Sequence, residues 1–221
     1  MKSWMKTRLI CFCFFSLLPL CAVAQESEDS VRWRYEPNFM VGADILNAGI
    51  SFFSERKLYQ GFISSKIRNK LLATADAGFE RNVYRKNGYD AEAKGPFVKL
   101  GAAYMIVEDP DNADNGFYMG GKLAGSFYRQ QYDAVPVRGY AGSNSSVSFP
   151  AGSESSYWIE GNIGGRVELF DSSFFIDMNI QPRYLIASTR QEELQPMIVP
   201  GFGKSSTKFG IGFMWNIAYK F

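Results

Sequence analysis

The chain has 221 residues, 24 Lys plus Arg against 22 Asp plus Glu, and no histidine. A formal charge of +2 spread over this length gives no basic stripe, so a nucleic-acid partner is not expected. The lack of histidine removes the residue most often used as general base and metal ligand.

The first residues read as a secretory leader. Lys2, Lys6 and Arg8 form a positive start, Leu9 to Leu20 an apolar run, and Ala22-Val23-Ala24 a small-x-small cleavage site before Gln25. The apolar run is too short for a membrane helix. Cys21 raises the possibility of lipidation, but Leu20 is larger than the small residue that lipoprotein processing wants before the cysteine. Cys11, Cys13 and Cys21 all fall inside this leader, so the processed chain is expected to have no thiol, disulfide or cysteine metal site. Losing the three leader bases takes the formal charge from +2 to −1. The expected organisation is a signal peptide over 1–24, a polar lead-in over 25–37 that includes Trp33 and Tyr35, and one domain over 38–221.

No later run of 18 or more apolar residues appears. What appears is period two. Phe39, Val41, Ala43 and Ile45 alternate with Met40, Gly42 and Asp44 in a first strand. Asn47 to Arg56 reads as a loop, Lys57 to Ile67 as a second strand with poor alternation, and Leu71 to Glu80 as a third. Residues 85–95, with Asn87-Gly88, read as a loop before a fourth strand, Phe97 to Val107. After the acidic turn Glu108 to Asn115, Phe117 to Tyr128 forms a fifth. Gln131 to Glu154, rich in Gly, Ser and Pro, reads as a long irregular segment.

Two strands follow whose apolar parity switches across Asp171-Ser172: Tyr157, Ile159, Ile163, Val167 and Leu169 are odd, whereas Phe174, Ile176, Met178 and Ile180 are even. A two-residue turn there pairs 170 with 173 and puts Leu169 opposite Phe174, Val167 opposite Ile176 and Ile163 opposite Ile180. The same register sets Arg166 against Asp177 and Glu160 against Arg183. A slip of one residue would turn every apolar side chain to the other face. Residues 189–205 read as a loop, and Lys208 to Phe221 closes the chain with Phe209, Ile211, Phe213, Trp215, Ile217, Tyr219 and Phe221 on one face.

Eight strands result, with long connections after the third, fifth and seventh. The apolar face of the last five strands carries no charge. The opposite face carries Asp44, Asp76, Glu80, Lys99, Lys122, Glu160, Arg166, Glu168, Asp177, Arg183 and Lys208. A Lys or Arg at mid-bilayer costs roughly 2–4 kcal/mol, so the uncharged face is expected to meet lipid and the charged face to fill a lumen. The expected fold is an all-β, eight-stranded antiparallel transmembrane up-and-down barrel. A soluble ligand carrier is the competing reading of the same alternation.

These residues resemble the small eight-stranded outer-membrane barrels of the OmpX and OmpA membrane-domain type, and small barrel families of Bacteroidota as well. In such barrels the last strand ends in Phe with aromatic or apolar residues at alternate positions before it, as Trp215, Ile217, Tyr219 and Phe221 do here. The resemblance implies that these four are the signal read by the barrel-assembly machinery. It also implies a Gram-negative outer-membrane location with both termini periplasmic. No segment follows the closing strand, so a peptidoglycan-binding domain of the OmpA kind is not expected. Lipopolysaccharide or phospholipid, the assembly machinery and other outer-membrane proteins are the expected partners.

An eight-stranded barrel has an interior just wide enough for side chains to fill. Glu160, Arg166, Asp177 and Arg183 are therefore read as a lumen salt-bridge network. The barrel enzymes, which include lipid A acyltransferases and deacylases, phospholipases and omptins, resemble each other in using a histidine, so none of that chemistry is expected. Glu160 and Glu168 lie roughly 26 Å apart along one strand, too far to share a bond. Gly203-Lys204-Ser205 would end a P-loop only if residue 198 were glycine, and it is Ile198. Asp109, Asp111, Asn112 and Asp114 do not fit an EF-hand, because Ala113 stands at a ligand position. No cofactor and no metal are expected. Tyr132, Tyr140 and Phe149 in the long segment read equally as a contact surface or as a cap on the barrel mouth. The functional reading is a non-enzymatic barrel with a closed polar lumen and a structural or protein-contact role. The alternative is a narrow channel or small-solute transporter.

Overall fold

A computed structural model describes residues 38–139, 144–190 and 194–221. Eight of its strands close into one antiparallel barrel. In chain order the strands are β1 (Phe39–Asp44), β2 (Lys57–Arg68), β3 (Leu71–Lys86), β4 (Tyr89–Glu108), β5 (Gly116–Arg138), β6 (Asn144–Glu168) and β7 (Phe174–Ser188). A short hairpin, β8 (Ile198–Val199) with β9 (Gly203–Lys204), precedes the closing strand β10 (Phe209–Lys220). Each long strand pairs with its sequence neighbour, and β10 pairs with both β7 and β1 to close the ring. Among the described residues no helix is long and apolar enough to cross a membrane.

The outward face is apolar all round: Leu100 and Tyr104 on β4, Leu123 and Phe127 on β5, Ile163 on β6, Ile180 on β7 and Phe213 on β10 are exposed. The inward face holds the charges, with Lys99 fully buried and Asp76, Glu160 and Asp177 nearly so. This arrangement is inverted relative to a soluble protein, whose apolar side chains point inward, and it excludes the soluble carrier, whose apolar face would line a ligand cavity.

The β6–β7 ladder sets Glu160 opposite Arg183, Ile163 opposite Ile180, Arg166 opposite Asp177 and Val167 opposite Ile176. The connection is wider than a two-residue turn at 171–172. Leu169 N donates to Phe174 O, and Phe170 and Asp171 both take left-handed backbone with φ of 54° and 48°.

Besides that turn, four segments differ from the sequence reading, one of them 189–205, read as a loop but holding the β8–β9 hairpin. Residues 85–95 are not a loop: β3 and β4 run on to a two-residue turn at Asn87-Gly88, both with positive φ, the combination that suits a type I′ hairpin. Residues 131–138 and 144–154 are strand, not irregular, since β5 and β6 pair as far as Arg138 and Asn144. Past the apolar belt the outward face turns polar while small or polar residues such as Ala91, Ala93 and Gln130 are buried inside, so the alternation of apolar with polar residues is lost. Last, Ile45–Phe53 is helix α1, not strand end and loop. Asp44 caps it by accepting from Asn47 N at 3.1 Å, and Asn47 and Ser51, four apart, share its buried side.

Candidate functional site

The inward side chains stack in layers along the barrel. The outermost is apolar and includes the β8–β9 hairpin, which folds back into the mouth. Ile198, Val199 and Phe202 are buried against Phe97, Trp158 and Leu185, with the Trp158 and Phe202 rings edge-to-face at 5.9 Å. Two polar contacts hold the hairpin: Gly201 N donates to Glu80 Oε2 at 2.7 Å, and Arg183 Nη1 donates to Phe202 O at 3.2 Å. Gly201 has φ of +79°, and a Cβ there would meet the Phe97 ring at 2.5 Å, so only glycine fits the tip. Beside it, Arg56 pairs with Glu80 at 2.7 Å.

Below the plug lies the polar belt. Lys99 Nζ sits 3.0 Å from Glu160, and Arg183 Nε lies 2.9 Å from the same carboxylate, though poorly aligned for a hydrogen bond of its own. Gly212, facing inward on β10, leaves the room that the Arg183 guanidinium occupies. Lys122 pairs with Asp76 at 2.6 Å. Asp177 is the most heavily bonded acid. It accepts from Arg166 Nε at 3.1 Å, Tyr118 Oη at 2.8 Å, Asn179 Nδ2 at 3.1 Å and Asn216 Nδ2 at 3.2 Å. The cavity within this belt holds about 20 Å³, on the order of a single water.

The ladder makes Asp76 the direct neighbour of Lys99 and Lys122 the direct neighbour of Glu160. The ion pairs instead run between strands that do not touch, Lys99 of β4 to Glu160 of β6 and Lys122 of β5 to Asp76 of β3. The inner end is apolar again, with Met40, Phe62, Phe175 and Ala218 in one cluster and Leu72, Ala103, Met105 and Tyr118 in another. The lumen is therefore a polar belt between apolar layers, not polar throughout. Lys208, assigned to the lumen from parity, is exposed at the rim, and Glu168 lies at the inner mouth bonded to Asn112.

The remaining candidates resolve individually. Tyr132 is buried and donates to Gln195 O at 3.0 Å while accepting from Gln130 Nε2 at 2.9 Å. Its burial pushes the hydroxyl up to about 12. It packs edge-to-face on half-buried Phe149 at 6.3 Å. This ring caps the mouth and is not an exposed contact; Tyr140 lies outside the described residues. Asp109 and Asn112 bond the backbone of Asp111 and Asp114, and Asp114 pairs with Lys220, so the acidic turn satisfies itself. Trp215, Ile217 and Tyr219 point outward, and Tyr219 packs between Phe174 and Phe221 at 5.1 and 5.0 Å.

One functional feature carried no clear sequence signal. β1 ends at Asp44, so β10 above Asn216 has no strand partner on that side. Lys208 O accepts from Leu185 N, which directs even-numbered backbone groups of β10 toward β7 and the odd-numbered ones, including Ile211 and Phe213, toward the gap. Helix α1 fills it. Asn47 Nδ2 donates to Phe213 O at 3.0 Å, and Ser51 Oγ accepts from Leu58 N at 2.7 Å while its one proton faces Asn47 O at 2.7 Å and Leu58 O at 3.2 Å. Two side chains thus stand in for a missing strand.

An eight-stranded antiparallel barrel with an uncharged apolar belt round its wall and a side-chain-filled lumen belongs to the class of small outer-membrane β-barrels. Within that class the chain belongs to DUF6048, a domain family of unknown function whose sequence profile matches residues 5–221. Comparison with curated proteins gives no match. Among solved structures the chain is similar to Ail, the attachment invasion locus protein of Yersinia pestis, solved in complex with the heparin analogue sucrose octasulfate; identity is 11%, the TM-score 0.43, and 85% of this chain and 100% of that one are covered. It is also similar to the N-terminal β-barrel domain of Pseudomonas aeruginosa OprF, at 10% identity and TM-score 0.36, covering 84% of this chain and 100% of that one.

Proposed function

We propose that this protein is a sealed, non-enzymatic barrel of the outer membrane that acts as a structural or contact component, alone or as an accessory subunit of a larger envelope complex. The observation that carries the reading is the filled lumen: the β8–β9 plug, the Asp76–Lys122 and Lys99–Glu160–Arg183 pairs and the inner apolar clusters follow one another along the axis. Contact with other molecules then falls to the wall and to the outer ends of β3 to β6, which extend past the belt. In this reading residues 1–24 direct export, both termini lie in the periplasm, and Trp215, Ile217, Tyr219 and Phe221 are read by the assembly machinery.

The test is conductance in planar bilayers. Wild-type protein is expected to give no steady current, and so is a variant in which residues 197–204 are replaced by a short Gly-Ser linker, because the polar belt remains. A stable ohmic current from wild type would overturn the sealed-lumen reading in favour of the narrow channel.

A further inference from the structure

Strand register brings four bases together on the outer wall. Lys57 of β2 stands directly opposite Arg81 of β3, Arg81 opposite Lys94 of β4, and Lys94 opposite Arg129 of β5. All four lie on the outward face, their chain neighbours Leu58, Glu80, Ala93 and Tyr128 being buried inside. At about 4.8 Å per strand the row spans about 14 Å. Two positions nearer the membrane, the outward residues are Tyr59, Phe79, Pro96 and Phe127, the outer edge of the apolar belt. The row therefore begins where hydrocarbon gives way to headgroups.

Like charges directly opposite one another destabilise a ladder, and three such pairs in succession are unfavourable without compensation. The protein supplies little. Glu92 is shared by Arg81 at 2.7 Å and Lys94 at 3.4 Å. Lys57 Nζ donates to the Ser51 carbonyl at 2.5 Å, and Arg129 has no acidic partner among the described residues. The surface beside the row is shaped as well as charged. A cavity of about 600 Å³ is lined by Lys94 and Arg129 together with Phe79 and Phe127, with Glu154 as its one acid. Another of about 470 Å³ is lined by Lys57 and Arg81 with Phe52 and Phe53 of α1, its one acid, Glu55, being paired with Arg85. Each thus sets bases beside exposed aromatic rings.

We infer that Lys57, Arg81, Lys94 and Arg129 form a binding site for the phosphate groups of lipid in the outward-facing leaflet, whose acyl chains lie along Phe79 and Phe127 or against Phe52 and Phe53. The inference rests on the membrane placement proposed above. Continuity with the apolar belt selects a lipid over a free anion, since a soluble phosphate would have no use for the adjoining rings. The excess of positive charge selects phosphate over a neutral headgroup.

The experiment uses the full processed chain folded in maltoside micelles doped with phosphatidic acid, phosphatidylcholine or no lipid, with retained lipid read by native mass spectrometry. Wild type is expected to retain phosphatidic acid in preference to phosphatidylcholine. Arg129→Gln is expected to weaken retention about fivefold, the value of one base near an anionic surface, and the quadruple Gln variant to abolish it. K66Q/K70Q at the opposite rim is expected to behave as wild type. Undiminished retention by the quadruple variant, an equal loss in K66Q/K70Q, or full displacement by inorganic phosphate would each overturn the site. Heat-modifiable gel migration after reconstitution in vesicles separately tests the barrel and its membrane placement, and confirms that each variant has folded.

Discussion

The wall of this barrel is built in two ways. From β4 round through β7 to β10 strands of 12 to 25 residues meet edge to edge. Between β10 and β2 the wall begins with a strand of six residues, and its outer half is helix α1. The difference teaches what closure requires. An exposed sheet edge beside hydrocarbon leaves backbone donors and acceptors without partners, each costing several kcal/mol. A hydroxyl and an amide on consecutive turns of a helix meet that requirement at Leu58 and Phe213 without a strand. The laddered side carries the ion pairs that lock the lumen, and the helical side carries few.

The largest effect is expected where the laddered side is held from within. Glu160→Gln leaves Lys99 and Arg183 facing each other without their shared acid, and the loss of one partner from a buried ion network costs about 3–5 kcal/mol. Urea titration in vesicles, followed by gel mobility, checks this; an unchanged midpoint would mean that the lumen is wet enough to solvate both bases.

The helical side is expected to respond more weakly and locally. Ser51→Ala strips Leu58 of its edge partner and costs about 1–3 kcal/mol. Hydrogen exchange is the sharper measurement. In wild type the Ile211 amide, which faces the gap, is expected to exchange faster than those of Gly210 and Gly212, which face β7, and Ser51→Ala is expected to speed exchange at Leu58. Uniform rates along β10 would mean that its outer half is paired after all.

The smallest change in stability is expected at the chain end. Removing Phe221 takes away one exposed ring packed on Tyr219 and one backbone bond to Phe39. It is expected to slow insertion into membranes by the assembly machinery while barely moving the urea midpoint of the assembled barrel. Equal insertion rates for truncated and full-length chains would remove the assembly role from this residue.

The contrast between the two sides also decides what the residues revealed before any coordinates. Parity exposed the β6–β7 register because one face meets lipid and the other a packed lumen, so a single shift carries a large penalty. That constraint ends at the edge of the belt. Beyond it Arg81 pairs with Glu92 and Arg85 with Asp90 across a hairpin whose 85–95 part reads as loop, because its outward face is polar and its inward face is built of small residues such as Ala91 and Ala93. α1 was hidden for a different reason: Ile45 to Phe53 is short and mostly apolar, a composition that serves strand and helix alike. Within the lumen the bases and acids could be enumerated but not all matched. Neighbour rules suit Arg166 with Asp177, whereas Lys99 reaches past β5 to Glu160, and that choice depends on barrel curvature. Tyr132 reads equally as contact or cap because a ring on a Gly- and Ser-rich stretch fits either, and the choice depends on Gln195, whose carbonyl accepts from its hydroxyl.

The β8–β9 plug has a consequence for how the molecule can be put together. It is tethered between β7 and β10, which are neighbours in the wall, and it enters by the outer mouth. No strand has to pass around it and no loop is threaded. The wall can therefore close first, with Tyr184 opposite Phe209 fixing the register, and the stopper can seat afterwards through the mouth it fills. A barrel made this way can close its wall and its polar belt while the mouth above them is still open.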